Sequence, residues 1–178
     1  MLLVPALTPA FIGAQTQQLR PVLPRPLWPV AAAPLSVWIQ PSPAGTNSDS
    51  LSHAVRRAMG AWNAQRLPVR MRHRADSLTA DVHIVWTDRF SEPISGLTTC
   101  VDDGAGRLVR ASVVLAVKHS DGRVLGGEET CALALHELGH VIGLDHSASS
   151  TSVMSPRVRV RHISAEDRAT ALRLYSTP

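Results

Sequence analysis

The chain is poor in cysteine, aromatic residues, lysine and long apolar runs, and each shortage excludes something. No apolar run approaches the roughly 20 residues that span a bilayer, so no membrane-spanning helix is expected. Aromatic residues make up 4% of the 178 residues, and the arginines are scattered. No basic cluster interleaved with aromatics is present, as a nucleic-acid binder requires. Only two cysteines occur, Cys100 and Cys131. They allow one disulfide or two buried free thiols. Without a set of soft thiolates, an iron–sulfur cluster is not expected. No internal repeat is visible.

What remains is an ordinary globular composition. Hydrophobic residues make up 44% and charged residues 18%, and the length suits one domain with its own core. Net charge is +4, carried by arginine far more than lysine. That excess suits acidic substrates or simply a solvated surface.

The first stretch, "MLLVPALTPAFIGA", is apolar and ends in small residues, the pattern of a secretory signal, although it lacks a basic start and carries Pro5 and Pro9. A secreted location is the expectation. "RPVLPRPLWPVAAAP" is proline-dense, and proline cannot donate to helix or sheet ladders. Residues 1–34 therefore read as leader and extended linker, and residues 35–178 as one domain, expected to act as a monomer.

Within that domain "LSVWIQ" alternates as a first strand. Leu51, Val55, Ala58, Met59 and Trp62 recur at helical spacing, with Pro68 beyond the end. "VRMRHR" reads as a half-exposed strand with Val69, Met71 and His73 on one face. "ADVHIVWT" reads as a strand buried on both faces, with His83 a hydrogen-bonded core histidine. "GLTTC" and "LVRASVVLAV" add two strands, and "VDDGAGR" between them is turn chemistry. Asp102 and Asp103 there are alternative calcium ligands. "EETCALALHELGHVIGL" is a long helix. "ISAEDRATALRLY" is a final helix, with Ser164 as N-cap and Asp167 three residues on. The predicted class is α+β: a twisted mixed sheet of about five strands covered by two long helices, plus a small C-terminal helical subdomain.

The chemistry is concentrated in "HELGHVIGLDHS". His136 and His140 are one helical turn apart on one face, so their imidazoles can converge on one ion. Ala134, Leu138, Val141, Ile142 and Cys131 fall on the opposite side. Gly143 accepts the left-handed conformation that ends the helix, and the returning "LDH" brings His146 to the same ion. Three imidazoles and one open position are the arrangement of catalytic rather than structural zinc. Glu137 is placed over that open position as a general base. His119 and Asp121 are a weaker candidate for a second metal.

These residues resemble the metzincin pattern H-E-x-x-H-x-x-G-x-x-H at every specified position, and "SVMSP" resembles the Met-turn of that group. Asp145 and Ser147 beside the third histidine, Pro156 after the turn and the short last helix resemble matrixins in particular. The resemblance covers roughly residues 35–175. It implies a zinc metalloendopeptidase acting on protein or peptide substrates through a zinc-activated water, with Glu137 as base and Met154 as an apolar floor beneath the ligands. It implies an upper subdomain over residues 35–143 and a lower one over 144–178. It also implies an extended substrate along the edge strand at "GLTTC", with Pro156 and Arg157 lining the substrate pocket. Arg157, Arg159 or Arg161 would favour an acidic side chain there, or face solvent. The sequence departs from matrixins in three ways. Ser155 replaces an aromatic residue, neither cysteine lies in a cysteine-switch segment, and the loop pattern for structural zinc and calcium is missing, so calcium is unsupported. The alternatives are a non-catalytic zinc module that binds peptides, or a small-molecule zinc hydrolase with a closed pocket.

Overall fold

In a computed structural model of the chain, residues 25–30, 34–43, 48–158 and 160–176 are described. The elements run β1 (Leu35–Ile39), α1 (Ser48–Ala64), β2 (Met71–Arg74), β3 (Val82–Thr87), β4 (Gly96–Asp102), β5 (Leu108–Ala116), α2 (Gly127–Val141) and α3 (Ala165–Ser176). The five strands form one sheet in the order β2-β1-β3-β5-β4. β1 pairs in parallel with β2 and β3, and β3 with β5. β4 runs antiparallel to β5 and forms one border of the sheet. The mixed sheet with its helices is the expected α+β architecture.

The core is explained by the period-2 pattern of the strands meeting the helical stripes. Val37, Val82, Ile84, Val113 and Leu115 are fully buried, as are Val55, Ala58 and Trp62 of α1 and Leu138 of α2. Trp62 satisfies its indole by donating from Nε1 to the Leu135 carbonyl at 2.9 Å, which ties α1 to α2. α1 is also the crossover that a parallel β1–β2 pair requires.

Two expectations for the strands are corrected. β3 is buried on one face only: Val82 and Ile84 are sealed, while His83, Val85, Trp86 and Thr87 are half-buried. The helices cover one side of the sheet and leave the other partly open. His83 is hydrogen-bonded, its Nε2 2.8 Å from the Ser77 carbonyl, but it is not a core residue. In β2, His73 is exposed along with the arginines, leaving Met71 as the buried position.

Part of the proline-dense stretch read as linker through residue 34 packs against the domain, at Leu27 and Trp28. Leu27 bridges to the start of β5, with Leu108 N donating to its carbonyl at 2.9 Å. Trp28 is buried in the core. Prolines prevent ladder pairing at their own nitrogens but leave Leu27 free to pair. Residues 1–24 lie outside the described residues, and so does the leader reading that falls on them. No helix among the described residues is long and apolar enough to cross a membrane.

Candidate metal centre

α2 starts with Glu128 and Glu129 in its first turn, where the helix dipole favours acid groups. Glu129 also accepts from the Gly126 amide at 3.0 Å. The helix is sealed nearly all round from Thr130 to Val141, including His136 and Glu137. At its end Gly143 adopts φ +100°, donates to the His140 carbonyl at 3.0 Å, and is followed by Leu144 N bonding to the Gly139 carbonyl at 2.9 Å. This left-handed turn reverses the chain and returns His146 towards the helix.

One ring nitrogen each of His136, His140 and His146 lies within 4.8 Å of the other two. His136 Nε2 is 3.3 Å from His146 Nε2 and 3.2 Å from His140 Nε2. A tetrahedral ion with Zn–N bonds near 2.05 Å sets its nitrogens roughly 3.3 Å apart. The tautomers fit as well. His136 Nδ1 donates to the Val153 carbonyl at 2.8 Å, and His140 Nδ1 donates to the Leu144 carbonyl at 2.8 Å. A carbonyl can only accept, so each neutral ring turns an Nε2 lone pair inward. Such a second bond fixes the orientation of a metal-ligating imidazole.

Burial pushes the His136 pKa down to about 4, against the opposing bond to Val153, and its two histidine neighbours lower it further. His140 is lowered chiefly by burial too. Neutral rings are what a metal requires. The donor set therefore fits zinc: three convergent imidazole nitrogens, with burial favouring the neutral form of His136 and His140.

Beside His136, Glu137 is 4% exposed. Burial pushes its pKa up to about 7, against a hydrogen bond from Thr98. Thr98 Oγ1 donates to Glu137 Oε2 at 2.6 Å across from β4. Gly96, on the same strand, abuts the carboxylate so closely that a β-carbon there would overlap Oε1 and lie 2.8 Å from Cγ and Cδ. Sequence reading passed over both residues. Their strand was visible, but only tertiary register sets them against Glu137.

Met154 is 1% exposed and packs against Gly139, the residue before His140. Its turn is tied down by Asp167, whose carboxylate accepts from the Ser152 hydroxyl and from Val153 N at 3.1 Å. The same carboxylate closes a capping box with Ser164: it accepts from Ser164 N at 2.9 Å, and Asp167 N donates to Ser164 Oγ at 3.0 Å.

Three consecutive carbonyls at the end of α2 are taken by side chains from elsewhere. Trp28 Nε1 donates to Val141 at 2.7 Å, Tyr175 OH to Ile142 at 2.9 Å, and Arg25 Nη1 to Gly143 at 2.8 Å. Arg25 also pairs with Asp145, next to His146. These partners were not foreseen, since they come from the supposed linker and the last helix.

The other candidates separate. Cys100 is exposed and Cys131 buried, and they remain free thiols; neither joins the histidines. Asp102 and Asp103 accept from Gly104, Ala105 and Arg107 backbone amides, as turn residues do. Asp121 accepts from Arg123 N at 2.9 Å, and His119 lies 3.6 Å from Glu129 instead. The three histidines are the one cluster among the described residues that could hold a metal ion. Pro156 and Arg157 are exposed and line the same groove as the histidines, Glu137 and β4 residues Leu97 and Thr98. That groove has a volume of about 1070 Å³.

Comparison with known proteins agrees with this geometry. The Matrixin family profile matches residues 28–176. Metalloendoproteinase 4-MMP of Arabidopsis thaliana is 28% identical over 135 residues, 68% of this chain and 39% of that protein. Metalloendoproteinase 1-MMP of the same plant is 27% identical over 143 residues, 72% of this chain and 38% of that protein. The chain spans about two-fifths of the length of these relatives. With its three convergent histidines and a family match over nearly the whole described fold, the chain belongs to the matrixin family.

Proposed function

We propose that this chain is a zinc-dependent metalloendopeptidase in which His136, His140 and His146 hold the ion and Glu137 is the general base. One observation carries the reading: three imidazoles converge beside a buried carboxylate, in a groove lined in part by β4, the border strand of the described sheet. Zinc at this site would supply Lewis acidity, polarising the scissile carbonyl and acidifying a water.

The chain's own groups do the rest. Glu137 takes the proton of the attacking water and delivers it to the leaving amide nitrogen. Burial raises the proton affinity of this carboxylate, which suits a group that must both take a proton and hand it on. The β4 border offers backbone groups to an extended peptide, which adds as a further strand in register. Pro156 and Arg157 contact the same peptide further along the groove. The open groove favours peptides over the closed pocket a small-molecule hydrolase would need.

Casein or gelatin cleavage by the zinc-loaded chain, with and without chelator, tests the reading. Chelator should abolish cleavage and zinc restore it. Glu137→Gln should keep one zinc and lose about 10²-fold or more in kcat. Full turnover in that variant removes Glu137 as the base. Tight zinc binding without any cleavage by the unaltered chain leaves a peptide-binding module.

A further inference from the structure

The border strand β4 presents Gly96 and Thr98 towards α2, half-buried, while Leu97 and Thr99 between and beyond them are exposed. Thr98 Oγ1 lies 2.6 Å from Glu137 Oε2 and 3.2 Å from the Glu137 carbonyl. A threonine hydroxyl has one proton to give. It goes to the nearer and more strongly accepting atom, the carboxylate oxygen. Among the described residues this is the one hydrogen bond that the Glu137 side chain receives. The other oxygen, Oε1, faces the bare Cα of Gly96, in space that any β-carbon would fill.

We propose that Thr98 is a positioning residue for Glu137: it anchors Oε2 and leaves Oε1 as the oxygen that handles protons. This rests on the reading of Glu137 as the base. The anchor matters because Glu137 reaches the groove through several rotatable bonds, from a helix whose neighbouring side chain is a metal ligand. Without the hydroxyl, the carboxylate loses its fixed partner and samples other rotamers. Gly96 supplies the second half of the device by leaving room for one carboxylate orientation. The strand proposed to receive the substrate backbone thus also aims the base. Peptide register and proton transfer are then set by one element rather than two.

The test compares Thr98→Val, Thr98→Ser and Gly96→Ala with the unaltered chain and Glu137→Gln, all zinc-loaded. Zinc content, melting temperature, kcat and KM are measured on one peptide substrate. Thr98→Val should lower kcat about 10- to 100-fold, the scale seen when a supporting hydrogen-bond partner is removed. Its KM should stay within about twofold and its zinc stoichiometry should be unchanged, because uniform binding and the ligands are untouched. Thr98→Ser should return to near the original kcat. Gly96→Ala, which keeps the hydroxyl but crowds Oε1, should lower kcat with zinc retained, an arm that stands if valine disturbs the strand. Original kcat in both Thr98→Val and Gly96→Ala, with Glu137→Gln inactive, overturns the positioning role alone. Equal losses in the serine and valine variants show a merely structural tie and overturn it as well. An unaltered chain that holds zinc and cleaves nothing overturns the peptidase reading and this inference together.

Discussion

Gly139 and Met154 share one space: the Met154 sulfur sits where a β-carbon on Gly139 would be, with Trp62 Cζ2 only 3.3 Å from the same point. Met154 is sealed from solvent and cannot retreat freely. Gly139→Ala should therefore lower stability. Overpacking costs about 1–3 kcal/mol, against the roughly 1 kcal/mol that alanine gains over glycine within a helix. Gly60, exposed in α1 with nothing within 4 Å of an added carbon, is the control. Gly60→Ala should stabilise by up to about 1 kcal/mol. Denaturant unfolding of the two variants should move in opposite directions.

His140→Ala should lose stoichiometric zinc, measured by metal analysis after dialysis. Two convergent nitrogens do not replace three in a closed triad. His162→Ala, at an exposed site away from the cluster, should bind zinc like the unaltered chain. Full zinc retention in His140→Ala would remove that residue from the ligand set.

Asp167 gives a pH signature. Burial works against its ionisation, but hydrogen bonds from Ser152, Ser164 and Val153 outweigh it and leave the folded pKa below the ordinary carboxylate value. A depressed folded pKa contributes stability above the unfolded value of about 3.9, and that contribution is lost as pH falls through the folded pKa. Asp167→Asn should be less stable at pH 7. As pH falls below about 4, it should lose less stability than the unaltered chain. Parallel acid curves for the two would contradict the assignment.

Trp28→Phe keeps the ring in the core but leaves the Val141 carbonyl without its donor. A buried polar group stripped of its partner costs about 1–3 kcal/mol. The melting temperature of the variant should fall accordingly. No change would mean that residues 25–30 contribute little to the domain.

What could be read from sequence was local. The stripe Leu51, Val55, Ala58, Met59 and Trp62 is buried as its spacing requires. His136, His140, Gly143 and His146 could be placed because helix geometry and one left-handed residue define them completely. The pattern of β3 misled because a run of apolar residues does not say how many sides of a sheet carry helices. Trp28 was hidden among prolines. Thr98 and Gly96 were invisible because the register between a strand and a helix forty residues later is a tertiary outcome. No spacing rule encodes it.

The three carbonyls that close α2 carry a consequence for where the domain can be cut. Their donors belong to the earliest and the latest described stretches of chain, Arg25 and Trp28 at one extreme and Tyr175 at the other. A shortened version that begins after Val30, or stops before Tyr175, would retain every strand and all of α2. It would nonetheless unfasten the bend that delivers His146. The smallest unit that keeps the three histidines together is thus wider than the sheet and helix that carry them, and its borders are dictated by the turn that returns His146.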